Sequence, residues 1–284
     1  NERLTAAYIF PVLGVIASLR IALSMLPEMV ALFVEARLGL QAIEKFYAQP
    51  DVGVLPNSPL PRGTIELEDF SGTWEGTNPA LSSVSVSIAP GELVCVVGPV
   101  GGGKSALLTA MLGGLETPVG RCEVSGDIAY VSQQPWIQSD TIRANVLFNR
   151  KIDEDRYRRA LVVSALSSDL NRLPQGDMTV VGERGVNLSG GQRQRVALAR
   201  AYYSNADVYL LDDPLSALDP GVAGDVYSEL ICGALRGTTR VLVTHRLEFL
   251  SRADRVIVMS GGAITAIGSL EELRASRGYL SELL

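Results

Sequence analysis

A continuous apolar run, Leu93-Val-Cys-Val-Val97, stops at Gly98-Pro-Val-Gly-Gly-Gly-Lys104-Ser105. The pattern is GxxxxGK[ST], and a helical stretch beginning Ala106-Leu-Leu-Thr-Ala-Met follows it. No other feature constrains the fold as much. An unbroken run of this kind reads as a strand buried on both faces, hence a parallel sheet feeding a helix. The glycines let backbone N–H groups converge on phosphate oxygens with no Cβ in the way. The N-terminus of the next helix places partial positive charge under the anion. Lys104 is expected to reach the β- and γ-phosphates as a mobile point charge, and Ser105 to offer its hydroxyl to Mg²⁺. The expected phosphate cradle is Gly98, Pro99, Val100, Gly101, Gly102, Gly103, Lys104, Ser105 and Ala106.

A second half of such a site lies at Val208-Tyr-Leu-Leu-Asp212. Four apolar residues predict a buried strand, and the carboxylate stands at its C-terminal end, where ligands bind in parallel sheets. Asp212 is expected to hold Mg²⁺ through water. Around these motifs the pattern alternates. TIELEDF (64–70) and SVSVSI (83–88) read as half-buried antiparallel strands, and the helical GVAGDVYSELICGAL (221–235) is followed by the strands RVLVTH (240–245) and RVIVMS (255–260). The class is α/β: a mostly parallel core sheet, an antiparallel β-subdomain over 64–88 and a helical subdomain over 140–184.

The N-terminal part has another character. Leu4 to Leu19 carry no charge, and apolar stretches resume after Arg20 and after Glu28. As one helix, 4–46 would run about 60 Å, enough to cross a bilayer and project beyond it. Pro11 and Pro27 are tolerable kinks in such a helix, and Arg20 can face a bundle interior. A soluble helix packed on a neighbouring domain is the alternative. The stretch 49–63 holds Pro50, Pro56, Pro59 and Pro61 and reads as a linker. The boundaries are thus 1–49, a membrane helix; 50–63, a linker; and 64–284, the nucleotide-binding domain. A start at Asn1 rather than Met is expected of a piece of a longer chain.

Leu188-Ser-Gly-Gly-Gln192, followed by RQRVALARA, resembles the signature of ABC (ATP-binding cassette) ATPases. Further motifs appear in that family's order. Gln133 in YVSQQPW resembles the Q-loop glutamine, Ser216-Ala-Leu-Asp219 the D-loop and His245 the switch histidine. Trp74 stands where the family places an aromatic ring against adenine. The resemblance covers about 64–284. It implies ATP and Mg²⁺ as cofactors, with Gln133 joining Ser105 and Asp212 at the metal. It also implies a second cassette whose phosphates are met by Ser189, Gly190, Gly191 and Gln192 at a helix N-terminus. Val181-Gly-Glu-Arg-Gly185 resembles the exporter X-loop, and 140–148 the exporter stretch after the Q-loop. The subclass most resembled is class C, the multidrug-resistance-associated proteins, in their first cassette. The N-terminal helix then resembles the last helix of the preceding transmembrane domain.

The chemistry has a weak point. Asp213 follows the metal carboxylate where most competent ABC sites carry Glu. Asp is one methylene shorter, about 1.5 Å, and a misplacement of ~1 Å can cost on the order of 10²-fold. Slow turnover is the expectation. His245 keeps hydrolysis possible, since in the family it bridges the γ-phosphate and the attacking water. Catalytic roles therefore fall to Asp213, His245, Gln133 and Lys104. Trp136 is read as a packing residue near the membrane-domain interface, Arg156, Arg158 and Arg159 as a solvated helix face, and Cys95 as a small buried residue beside the phosphate loop.

Composition excludes other classes. The net charge of −6 opposes nucleic-acid binding, and so disfavours a soluble ABC ATPase acting on DNA or ribosomes. One histidine excludes His-rich zinc sites, and three dispersed cysteines make no disulfide framework. Two functions remain. One is the cassette of a membrane exporter, integral to the membrane with the ATP-binding domain on the cytoplasmic side, moving organic anions or conjugates. The other is a regulatory module that gates a channel or partner subunit with negligible turnover.

Overall fold

The computed structural model describes residues 6–48, 59–74, 79–182 and 188–275. The chain divides into two compact units, 1–53 and 54–284. The first is one helix, α1 (Ala6–Tyr47), which contains Pro11 and Pro27 without a break. It is long and apolar enough to cross a membrane, with a mean hydropathy of 2.1 over its most apolar 18 residues. Its described apolar side chains, Phe10, Ile16, Leu23, Leu32 and Phe33 among them, are exposed around the whole helix. Helices apolar all round belong in a protein core or in lipid. Its two described serines bond inside the helix, Ser18 Oγ to Gly14 O at 3.0 Å and Ser24 Oγ to Ile21 O at 2.9 Å. That satisfies the polar atoms without water.

The second unit contains two sheets. The larger has six strands in the order β5-β6-β7-β3-β8-β9: β3 (Leu93–Val97), β5 (Ile128–Val131), β6 (Val208–Asp212), β7 (Thr239–Val243), β8 (Arg255–Ser260) and β9 (Ala263–Gly268). All pairs are parallel except β8 with β9. Every residue of β3, β6 and β7 is buried, as continuous apolar runs covered on both faces must be. The register aligns their ends. Val131 faces Leu211, Asp212 faces Val243, and Val96 faces Val243 from the other side. Four chain segments therefore leave the sheet along one edge.

The smaller sheet is antiparallel, β2-β1-β4, with β1 (Ile65–Thr73), β2 (Pro79–Ile88) and β4 (Glu116–Val124). The third strand extends the expected subdomain beyond 88. Its Pro118, Gly120 and charged residues mask the period-2 pattern. Gly120, at φ 86°, sits in a register shift of β1 where a Cβ would collide with the Asp69 carbonyl.

Helix α2 (Lys104–Met111) follows the glycine loop. The helical subdomain holds α3 (Ile142–Leu147), α4 (Glu154–Val163) and α5 (Ser167–Leu170), packed on α6 (Gly190–Ser204) through Ile142, Val146, Tyr157 and Val196. Thr141 and Asp153 cap α3 and α4. Helix α7 (Pro220–Val226) continues as a π-helix through Ala234, and α8 (Leu270–Ala275) follows β9. Of the linker, 50–58 lie outside the described residues. Its end is anchored, because Arg62 bonds Asp207 at 2.7 Å and Asp127 at 2.8 Å. Glu183, Arg184 and Gly185 of the X-loop-like segment, and the end of the expected helical subdomain, also lie outside the described residues.

Candidate functional site: a nucleotide cleft

The glycine loop is built by conformations only glycine adopts freely. Gly98, Gly101 and Gly103 have φ of 149°, 77° and 98°. At Gly98 a Cβ would run into the Met259 carbonyl, and at Gly103 it would stand 2.9 Å from Gly262 Cα. The loop is therefore pressed against the β8–β9 hairpin. Gly98 and Pro99 are not in the cleft wall. Their carbonyls accept from Lys104 Nζ at 2.9 and 2.8 Å.

The strand ends and the loop enclose a cleft of about 590 Å³. It is lined by Val100 to Ala106 of the loop and α2, by Asp212 and Asp213 after β6, by Gln133 after β5, by His245 after β7, and by Trp74 at the end of β1. Expected residues from five distant segments thus meet at one place. Trp74 is 51% exposed and is not a core residue.

Charge is concentrated here. Lys104 is 7% exposed, and burial lowers its pKa, against the pull of Asp212 and Asp213. Asp212 is raised above the ordinary carboxylate range, first by burial. A hydrogen bond from Ser105 opposes the shift, as do Lys104 and His245, while Asp213 adds to it. Asp213 has φ 46°, and its N–H donates to Val243 O at 3.0 Å. Its carbonyl accepts from Ser216 Oγ at 2.8 Å, which ties the carboxylate's backbone to the 216–219 turn.

Ser189, Gly190, Gly191 and Gln192 are not part of this cleft wall. They start α6 in a capping box. Ser189 Oγ accepts from Gln192 N at 3.2 Å, and Gln192 Oε1 accepts from Ser189 N at 2.9 Å. Asp169 holds the turn from below, accepting from Arg195 Nε at 2.6 Å and Gln192 Nε2 at 3.3 Å. A Cβ on Gly190 would meet nothing within 4 Å, whereas one on Gly191 would press on Ala217 O at 3.0 Å. The signature turn therefore leans on its own 216–219 turn.

The sequence reading missed part of the wall: Pro79, Ala80, Val243, Gly261 and Gly262. The glycine pair carries a local signal. Two adjacent glycines between strands, at φ 57° and 77°, form a two-residue hairpin turn. Gly262 N donates to Gly102 O at 3.1 Å, which fastens the turn to the loop. Other readings are refined. Arg156 is not merely solvated, since it bonds Asn205 Oδ1 at 2.6 Å and lies over the Tyr202 ring, while Arg158 and Arg159 are exposed. Trp136 is exposed and meets Phe148 edge-on at 6.1 Å, with Arg200 over both rings. Cys95 is fully buried, and burial lifts its thiol to about 12.

A glycine loop on a parallel sheet, an acidic strand end facing it, and a serine-capped signature helix define an ATP-binding cassette. Residues 81–216 match the ABC transporter family, and the cassette belongs to it, in class C. The chain is 41% identical over 290 residues to ATP-binding cassette sub-family C member 3 of Homo sapiens, and 42% identical over 290 residues to its counterpart in Rattus norvegicus. It is 41% identical over 292 residues to sub-family C member 2 of Homo sapiens. Each match covers 100% of this chain, the N-terminal helix included, and 19% of the relative. The chain thus spans about a fifth of the length of these curated relatives.

Proposed function

We propose that this chain is the first ATP-binding cassette of a membrane exporter, with the end of the preceding transmembrane domain attached. In this reading 1–49 is the last helix of that domain, 50–63 the linker and 64–284 the cassette. The protein is integral to a membrane, the cassette meets cytoplasmic ATP, and the cargo is an organic anion or conjugate. The cassette works with a second one, and nucleotide binding closes the pair.

The observation that carries this is a division within the molecule. Lys104, Ser105, Asp212, Gln133 and His245 share one cleft with Trp74, while the signature turn lies outside it. One cassette therefore presents half of each of two sites. Trp74 offers an indole face to adenine. The N–H groups of Gly101 to Ser105 surround the phosphates, with Lys104 exchanging the Gly98 and Pro99 carbonyls for phosphate oxygens. Ser189, Gly190, Gly191 and Gln192 close on the partner's nucleotide.

The cleft suits Mg²⁺. Among the described residues no three His, Cys, Asp or Glu cluster as a metal site. A nucleotide-borne Mg²⁺ needs no such cage, because it takes phosphate oxygens and water with one or two protein groups. Ser105, Asp212 and Gln133, which share the cleft wall, would hold it. Bound there, it neutralises phosphate charge. Asp213 then orients the attacking water, and His245 holds that water against the terminal phosphate. Asp213 does so poorly because its carboxylate is short and its backbone is fixed at both N–H and carbonyl.

The test is ATP turnover by the full-length protein in lipid. Asp213→Glu should raise turnover at this site, by as much as ~10²-fold if reach alone limits it. An unchanged rate would count against slow chemistry through a short carboxylate. The same residue favours the second reading, a regulatory module, which predicts no coupling between turnover and cargo movement.

A further inference from the structure

The nucleotide cleft occupies the C-terminal ends of the parallel strands. At the opposite ends lies a separate cavity of about 470 Å³. Leu93 opens β3 there, Arg240 lies at the start of β7, and Asp254 immediately precedes β8. Arg236, Arg240 and Arg252 line the cavity, against one carboxylate, Asp254, and a thiol, Cys232.

Arg240 is 5% exposed and rigidly set. Its Nε donates to Thr238 O at 2.9 Å, Nη1 to Ile231 O at 3.0 Å and Nη2 to Gly91 O at 2.7 Å. Carbonyl dipoles fix its plane but leave its full charge in place. Asp254 is committed to the backbone, accepting from Leu93 N at 2.7 Å. Arg236 and Arg252 form no salt bridge among the described residues, and Arg252 Nη1 reaches only Ser228 Oγ, at 3.3 Å. Burial lowers the pKa of Arg240, Asp254 opposes this, and the like charge of Arg236 adds to it. The fold therefore holds three guanidinium groups around one space with a single carboxylate to offset them. Like charges so placed cost energy unless an anion joins them. The mouth is open, since Gly237, at φ 91°, has nothing within 4 Å of where a Cβ would stand.

We propose that this cavity binds a small phosphate-bearing anion, with Arg236 and Arg252 as the mobile cations that grip it and Arg240 as the fixed charge behind. Guanidinium forks match the oxygens of a phosphate, and a dianion balances three cations against one carboxylate. The phosphate is either free or esterified to a hydroxyl.

Cys232 supplies the readout. In the full-length protein, with Mg²⁺ and a non-hydrolysable ATP analogue filling the nucleotide cleft, alkylation of Cys232 by iodoacetamide is followed by peptide mass spectrometry. Ionic strength is matched with chloride. Inorganic phosphate or O-phosphoserine should slow Cys232 labelling by about tenfold at ten times its Kd, as one-site protection requires. Protection by inorganic phosphate points to a free anion, and protection by O-phosphoserine alone to an ester. Arg236→Ala with Arg252→Ala should abolish protection while the analogue still binds. Asp254→Asn, which keeps an oxygen for Leu93 N, should lower the Kd for phosphate. Protection by neither probe, equal protection in the double variant, or an unchanged Kd in Asp254→Asn would overturn the proposal.

Discussion

Gly262→Ala tests the claim that the β8–β9 turn holds the phosphate loop in shape. Gly262 has φ 77°, and a Cβ there would lie 2.7 Å from Ala80 O, a backbone atom that cannot swing aside. Its neighbour Gly261 has φ 57° and nothing within 4 Å of its Cβ position. The left-handed conformation costs an alanine ~1–2 kcal/mol at either position. The forced contact adds ~1–3 kcal/mol at 262 alone. Gly261→Ala should thus cost ~1–2 kcal/mol and Gly262→Ala ~2–5 kcal/mol. For a unit of this size, thermal unfolding of the cassette should fall by ~2–8 °C and ~4–20 °C respectively. Binding separates the pair further. Gly262 N also donates to Gly102 O at 3.1 Å. Disturbing that bond should weaken nucleotide binding by roughly 2- to 10-fold at 262 and leave 261 near wild type. Equal melting points for the two variants, or equal nucleotide affinities, would refute the contact argument.

Three further substitutions probe separate parts of the site. Trp74→Ala should weaken adenine-nucleotide binding by ~1–3 kcal/mol in an equilibrium titration, with little change in melting because the ring is half exposed, and Trp74→Phe should recover most of the loss. Asp169→Ala strands the Arg195 guanidinium, whose side chain is only 11% exposed, and should cost ~3–5 kcal/mol in denaturant unfolding; retention of wild-type stability would show the pair to be dispensable. Asp212→Asn removes a carboxylate whose pKa burial raises above 3.8. Such a group favours the folded state most below pH 3.8 and loses that contribution as pH rises through its folded pKa. The variant should therefore melt higher than wild type at neutral pH without nucleotide, with the gap closing as pH falls toward 3.8, and it should lose Mg²⁺-dependent affinity.

What was legible in the chain follows from the range of each constraint. The glycine loop, β6 and the capped signature helix obey local rules, and residues 98–105, 208–212 and 189–192 reveal them without any partner in view. Gly261 and Gly262 read locally as a hairpin turn. Their place in the cleft depends on the strand order β3-β8-β9, which no short window contains. Strand β4 was hidden because Pro118 and Gly120 are turn residues by composition. They become strand residues only against the irregular register of β1. The π-helix over 227–234 is illegible for a similar reason. Its Tyr227, Leu230 and Ile231 face the core in a pattern an α-helix also satisfies, and the Tyr227 hydroxyl bond to Phe249 O is set by tertiary packing. Arg156 misled because a charged run is exposed only where no neighbour offers a carbonyl or ring, and α6 offers both.

The cleft's own bonds explain why it is stable without nucleotide. Lys104 is satisfied by the Gly98 and Pro99 carbonyls, so its buried ammonium does not wait for a ligand. Nucleotide must then exchange existing bonds rather than fill empty ones, and the gain from its phosphates is correspondingly small. The sign of the charge sharpens this. One ammonium faces two carboxylates, Asp212 and Asp213, so a polyphosphate tail adds anion to an already anionic wall unless a divalent cation comes with it. What the cleft lacks is an outer set of donors. The signature turn has them, because Gln192 uses the Ser189 oxygen as acceptor and so leaves the hydroxyl proton and the N–H groups of Gly190 and Gly191 directed off the start of α6. A site with surplus acceptors and a turn with surplus donors, held apart on one body, complement each other only between two bodies. Under the proposed pairing with a second cassette, that complementarity would make nucleotide the bond between the two.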